Sequence, residues 1–228
     1  MIYCIGDSFT YGDELPDAGW DNTQPSPNAW PGKLGLLTNR PVTNLGRRAC
    51  GNTRLVKRIV DTAFKDDAEL VIISWTSPNR VEFLNSTPYD VWPGRNTKAV
   101  DNKHKEVIIK ALTLEHNEYF DLWCMRKWIR DIILTQNLLA NLGKRYLMIV
   151  TWHDWAPTED TQDLWDKVDF RYFIGHPSTN LNGYNGYKTM CYYFSNDQKC
   201  PNGHPTEAGH QSIAENINEY IRHFSWLP

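Results

Sequence analysis

At 228 residues and 26.5 kDa the chain is short enough for one core, since single cores grow to roughly 250–300 residues before they split. One domain over residues 1–228 is therefore expected. Its 41% hydrophobic and 22% charged residues are ordinary for a globular protein, and no apolar run approaches the roughly 18 residues of a membrane span. A net charge of −3 and a pI near 6.2 give no electrostatic pull on nucleic acid, because Lys and Arg gather only in short pairs such as Arg47-Arg48.

The chain opens on Met1-Ile2-Tyr3-Cys4-Ile5, which lacks the basic region and small-residue cleavage site of a secretory signal. The fold is expected to start at Met1, with the cytoplasm as the default compartment. These residues predict a short buried strand that Gly6 breaks at a turn. Pro41 to Asn44 predicts a second strand. Asn52 or Thr53 is expected to cap a helix with Leu55, Ile59, Val60 and Phe64 on one face. Leu70 to Trp75 is a continuous, largely β-branched run of the kind found in parallel sheets covered on both faces. A long helix is predicted from about Glu115 to Leu142, stopped by Gly143. Tyr146 to Trp152 predicts another buried strand, and a last helix follows Pro205 with Ile213, Ile217, Tyr220, Ile221 and Phe224 on one face.

Strand and helix alternate, which predicts a three-layer α/β/α fold around a parallel sheet, with the ligand crevice at the carboxyl ends of the strands. Two long stretches interrupt the alternation, near 85–102 and 153–199, and loops of that length are usually binding loops or lids. The five cysteines form an odd set without a Cys-x-x-Cys pair, so neither a disulfide framework nor a zinc site is indicated. Pairing of Cys191 with Cys200 is left open. His153, Asp154, Asp160 and His176 match no zinc spacing, and no metal is expected.

A serine hydroxyl needs a base to become a nucleophile, and the oxyanion it generates needs converging donors. Ser8 in Gly6-Asp7-Ser8-Phe9 sits at a strand-to-helix turn, where its own N–H faces the sheet edge. Gly51 offers a second backbone donor before a helix, and His204 in Asn202-Gly203-His204-Pro205 lies at the mouth of the last helix.

Gly6-Asp7-Ser8-Phe9-Thr10-Tyr11-Gly12 resembles the first block of the SGNH, or GDSL-type, serine hydrolases. Asn44-Leu45-Gly46 through Cys50-Gly51-Asn52-Thr53 is similar to the second block, and Gly203-His204-Pro205-Thr206 with Gly209 resembles the last. The resemblance spans essentially the whole chain. It implies a flavodoxin-like sheet, no cofactor, a Ser-His-Asp triad built on Ser8 and His204, and an oxyanion hole from Ser8, Gly51 and a third-block asparagine. Two positions depart from the pattern. Ser77 stands where the asparagine belongs, with Asn79 as an alternative donor. Pro201 stands where the triad aspartate belongs, so Asn202 becomes the candidate orienter of His204, with Asp197 and Asp154 as alternatives.

The 10 tryptophans and 11 tyrosines bear on the substrate. Trp92, Trp155 and Tyr184 fall in the long stretches, and flat rings stack on sugars. The leading expectation is an esterase that removes acetyl or another short acyl group from a small or polymeric carbohydrate ester. A lipid or thioester hydrolase is the alternative within the class. A lapsed hydrolase used for glycan binding, or as a structural part of an assembly, is the alternative outside it. A likeness to short phage-encoded esterases, from the Trp-Thr-Ser-Pro turn, adds virion association to the alternatives for location. Oligomeric state is not legible.

Overall fold

A computed structural model describes residues 1–19, 23–83, 89–91, 118–152, 155–179, 181 and 185–226. Four strands form one parallel sheet: β1 (Ile2–Ile5), β2 (Val42–Asn44), β3 (Leu70–Trp75) and, past a small hairpin, β6 (Arg145–Val150). Their spatial order is β2-β1-β3-β6. Ile2 is in register with Val42 on one side and Leu70 on the other, and Leu70 pairs with Arg145. The hairpin is β4 (Val81–Phe83) with β5 (Tyr89–Val91), antiparallel and outside the main sheet. Most of the 85–102 stretch lies outside the described residues.

Strand side chains alternate between two faces, and each face has its own core. On one face Tyr3, Ile5, Val71, Ile73, Trp75, Met148 and Val150 meet Leu55 and Ile59 of α3 (Asn52–Ala63). Trp128, Ile129, Ile132 and Leu139 of the long helix α4 (Glu118–Asn141) complete that side. On the other face Ile2, Cys4, Leu70, Ile72, Leu147 and Ile149 meet two further helices. Trp30 and Leu34 come from α2 (Trp30–Thr38), and Ile213, Ile217 and Ile221 from α6 (Glu207–His223). Because both faces are covered, β1, β3 and β6 carry apolar residues at nearly every position, as the predicted parallel sheet requires. The three-layer α/β/α architecture follows.

Helix α2 is not legible from periodicity, since a proline and two glycines interrupt it. Tertiary packing forms it. Pro31 is tolerated in the first turn, and Ala29 at the cap position supplies no side-chain acceptor. The Trp30 N–H instead donates to Nδ1 of His210 on α6, 3.2 Å away. The 153–199 stretch contains α5 (Gln162–Trp165), between α4 and α6, and three short 3-10 turns at Phe170–Tyr172, Met190–Tyr193 and Asn196–Gln198. Ile174 N–H donates to Met148 O at 2.7 Å, which lays this stretch along the free edge of β6. Among the described residues no helix is long and apolar enough to cross a membrane.

Candidate active site

The carboxyl ends of β1, β2 and β3 deliver three turns to one edge. After β1 the backbone closes onto α1 (Ser8–Tyr11), and Asp7 caps it, its Oδ1 accepting the Phe9 N–H at 3.1 Å. Ser8 is thus the first residue of a helix, where backbone N–H groups have no intrahelical acceptor. Gly6 is required here because a Cβ would lie 2.0 Å from Thr10 Oγ1. The turn after β2 packs as closely. A Cβ on Gly46 would sit 2.4 Å from the Tyr11 backbone nitrogen, and the Asn44 amide donates to Thr10 O at 2.7 Å.

Gly51 takes the cap position of α3 with an extended backbone and no side-chain bond. The helix therefore begins at Asn52, and neither Asn52 nor Thr53, the two expected caps, holds the cap position. Asn52 is buried and welds the second turn to the third. Its amide donates to Thr76 O and Ser77 O at 3.2 and 3.0 Å and accepts the Thr76 N–H at 3.2 Å. Ser77 is buried at this junction. Asn79 is turned away, donating to Asp121 of α4 at 2.7 Å, so the structure does not bring it to the other candidate donors.

The loop before α6 carries His204. Gly203 has a left-handed backbone, φ +92°, and the Cys200 N–H donates to His204 O at 2.7 Å. His204 Nε2 lies 2.9 Å from Ser8 Oγ, with the Phe9 ring 5.2 Å from the imidazole centroid. Ser8 and His204 are thus brought together, although they stand 196 positions apart.

The residue on the other side of the ring is one the sequence reading did not single out. Glu14 Oε2 lies 2.7 Å from His204 Nδ1 and accepts the His204 backbone N–H at 3.3 Å. Its Oε1 accepts the Asn202 N–H and side-chain amide at 3.1 and 2.8 Å. Asn202 is therefore not against the imidazole: it holds the carboxylate that is. The expected orienter is corrected on this point, because the turn before α6 projects the Asn202 amide toward the loop after α1. Asp197 is occupied by the Ser195 hydroxyl within its own turn, and Asp154 lies outside the described residues. The only sequence signal was the acidic pair Asp13-Glu14, five and six positions beyond Ser8 and without any spacing to His204.

Burial pushes the pKa of the Glu14 carboxyl up, but the hydrogen bonds from the His204 ring, Asn202 and the His204 backbone outweigh it and hold the carboxyl below its ordinary range. An ionised carboxylate only accepts, so Nδ1 carries the ring proton and Nε2 turns its lone pair to the Ser8 hydroxyl. Glu14 adopts φ +69°, a conformation that costs a non-glycine residue on the order of 1–3 kcal/mol unless its surroundings fix it. The bonds to the His204 loop do so. Asp13 adds a second carboxylate, 3.9 Å from Nε2, and itself meets Arg48 at 2.7 Å.

Asp7, fully buried before Ser8, faces Arg80 across 3.7 Å, and Arg80 also donates to Cys50 O at 3.2 Å. This pair ties all three turns together. Among the aromatic candidates, Trp155 is corrected. It is 1% exposed and packs on Phe173, with ring centroids 4.8 Å apart, so it belongs to the core and offers no face to a substrate. Trp92 and Tyr184 lie outside the described residues. Cys191 and Cys200 are both free thiols.

No protein-family model and no curated protein sequence matches the chain. Its likeness to known proteins is structural. A protein assigned to the lipolytic G-D-S-L family from Desulfitobacterium hafniense DCB-2 superposes with a TM-score of 0.52 at 12% identity, covering 96% of this chain and 98% of that one. The lipase/acylhydrolase from Enterococcus faecalis gives 0.51 at 13% identity, over 98% and 95%. The psychrotrophic esterase EstA from Pseudoalteromonas sp. gives 0.52 at 9% identity, over 98% and 97%. With four parallel strands, helices on both faces and these neighbours, the chain has the fold of the SGNH, or GDSL-type, hydrolases.

Proposed function

We propose that this chain is a serine ester hydrolase acting on short acyl groups, with Ser8 as nucleophile, His204 as base and Glu14 as the carboxylate behind the base. The observation that carries the reading is the continuous chain Ser8 Oγ, His204 Nε2 and Nδ1, Glu14 Oε2, with links of 2.9 and 2.7 Å. As ester attack begins, the Ser8 proton passes to Nε2 while Oγ bonds to the acyl carbon. Imidazolium then forms between two carboxylates, which stabilise it. Collapse of the tetrahedral intermediate breaks the bond to the alcohol oxygen, which leaves with the proton from Nε2. Water repeats the sequence on the acyl-enzyme: it gives a proton to His204, bonds to the acyl carbon, and releases the acid with Ser8 restored. The N–H groups of Ser8 and Gly51 are the candidate oxyanion donors, with the Ser77 hydroxyl as the third.

The lapsed-hydrolase alternative rests on two departures, Ser77 and Pro201, and the Glu14 contact bears on the second. A carboxylate from another loop, in contact with the same ring nitrogen, favours the active reading. Labelling with a fluorophosphonate probe tests it: the wild type is expected to label and a Ser8→Ala variant is not. Absence of labelling in the folded wild type would overturn the assignment.

A further inference from the structure

A pocket of about 150 Å³ opens between the first turn of α3, the turn after β3 and the start of α4. It starts one residue beyond the candidate oxyanion donor: Asn52 and Thr53 line it directly after Gly51, and Pro78 lines it directly after Ser77. Arg80 also lines it while facing Asp7, the residue before Ser8. The pocket is thus lined from the same turns, after β2 and β3, that carry the candidate oxyanion donors.

Its lining argues for a particular ligand. Trp123, 52% exposed, presents an indole at the pocket. Trp128 also lines it, 1% exposed, and its indole N–H has no hydrogen-bond partner among the described residues. Lys127 Nζ lies 2.6 Å from Asp131 Oδ2 and 3.5 Å from Thr53 Oγ1, so ammonium and carboxylate stand side by side in the lining. Arg80 likewise faces a carboxylate. With both cations matched, the pocket has no excess charge to recruit an anion. Adjacent donors and acceptors beside an aromatic ring suit a neutral ring bearing vicinal hydroxyls. Its volume of about 150 Å³ is below the roughly 300–1,000 Å³ of sites that bury drug-sized ligands.

We propose that this pocket is the sugar subsite of the enzyme, holding one pyranose ring of an acylated carbohydrate on Trp123, with its hydroxyls at Lys127 and Asp131. The proposal rests on the hydrolase reading above. It also moves the carbohydrate site from the long loops, where the sequence placed it, to the α3–α4 side of the sheet.

Binding and turnover separate the two readings. The Ser8→Ala protein, which cannot turn over, is titrated calorimetrically with a mono-O-acetylated methyl xyloside. Trp123→Ala and Lys127→Met are then added to it singly. Each is expected to weaken binding about tenfold or more, the order that a lost pocket contact costs in discrimination, with Trp123→Phe restoring most of it. In the Ser8 background both are expected to lower kcat/KM for the sugar ester relative to para-nitrophenyl acetate. Unchanged sugar affinity in both variants would overturn the subsite while leaving Ser8-dependent hydrolysis of para-nitrophenyl acetate intact. Preference for a para-nitrophenyl decanoate over the sugar ester would overturn it too. Trp123-dependent sugar binding without any hydrolysis by the wild type would uphold the subsite and defeat the hydrolase reading.

Discussion

Glu14 and His204 are 190 positions apart, yet a carboxylate oxygen of the first lies 2.7 Å from Nδ1 of the second. The contact joins the loop after the first helix to the loop before the last. It places a negative charge behind the imidazole from the serine's own side of the fold. The carboxylate against Nδ1 thus comes from Glu14, while Pro201 stands where the family pattern has aspartate.

Replacement of Glu14 should be the most costly change short of Ser8 and His204 themselves. Glu14→Ala is expected to lower kcat for para-nitrophenyl acetate by about 10³- to 10⁴-fold, the scale on which a triad carboxylate acts. Asn202→Ala, which loosens the carboxylate without removing it, should cost far less. Equal losses in the two variants would return the orienting role to Asn202.

The two candidates for the third oxyanion donor separate by substitution. Ser77→Ala is expected to lower kcat by about 10²- to 10³-fold if its hydroxyl supports the oxyanion. Asn79→Ala, whose partner is Asp121, is expected to change kcat little. The reverse ranking in steady-state kinetics would mean that the turn after β3 rearranges when substrate binds.

Breaking the buried pair of Asp7 and Arg80 should act on stability first. Both side chains are almost fully buried, and removing one partner strands a charge, which costs about 3–5 kcal/mol. Arg80→Ala is therefore expected to lower the urea unfolding midpoint strongly. A midpoint within error of the wild type would show that water or another cation takes its place.

His210 predicts how stability depends on pH. Burial, with smaller contributions from the charges of His204 and Lys33, pushes its ring down from 6.5 to about 3. Below about pH 6.5 the unfolded chain binds a proton that the folded ring refuses, so acid favours unfolding. This contribution is complete above about pH 6.5 and declines as pH falls toward 3. His210→Gln, an amide that retains an acceptor for the Trp30 N–H, should flatten the decline. Parallel urea titrations of both proteins at pH 7 and pH 5 measure it.

Glu14 works in the same direction lower on the scale. Its folded value lies below the ordinary 4.5, so its bonds stabilise the fold fully above that pH and are lost as pH falls through the lower folded value. Glu14→Gln is expected to remove this acid-side loss, seen as convergence of the two unfolding midpoints as pH is lowered.

Much of the architecture was determined by the sequence alone. Leu70 to Trp75 and the strands beside it are apolar at nearly every position because both faces of a parallel sheet are buried, and that pattern needs no neighbour to be read. The long helix before Gly143 and the last helix after Pro205 announce themselves through period and punctuation in the same way. The turns at Gly6 and Gly46 were visible as glycines, though only the packed structure shows that a Cβ there would strike the next turn. Helix α2 escaped because a proline and two glycines interrupt its period, and its first N–H is satisfied by His210, from a helix nearly at the other end of the chain. Trp155 appeared as a loop residue and proved to be core, since composition does not reveal which face of a ring is covered.

Glu14 marks the boundary between the two kinds of knowledge. A serine at a strand-to-helix turn and a histidine before the last helix follow from local motifs, because each motif carries its own backbone geometry. Which carboxylate meets the far nitrogen depends on how two remote loops fold toward each other at the sheet edge. Hydrogen bonding is decided over about 3 Å, and no spacing along the chain encodes that distance.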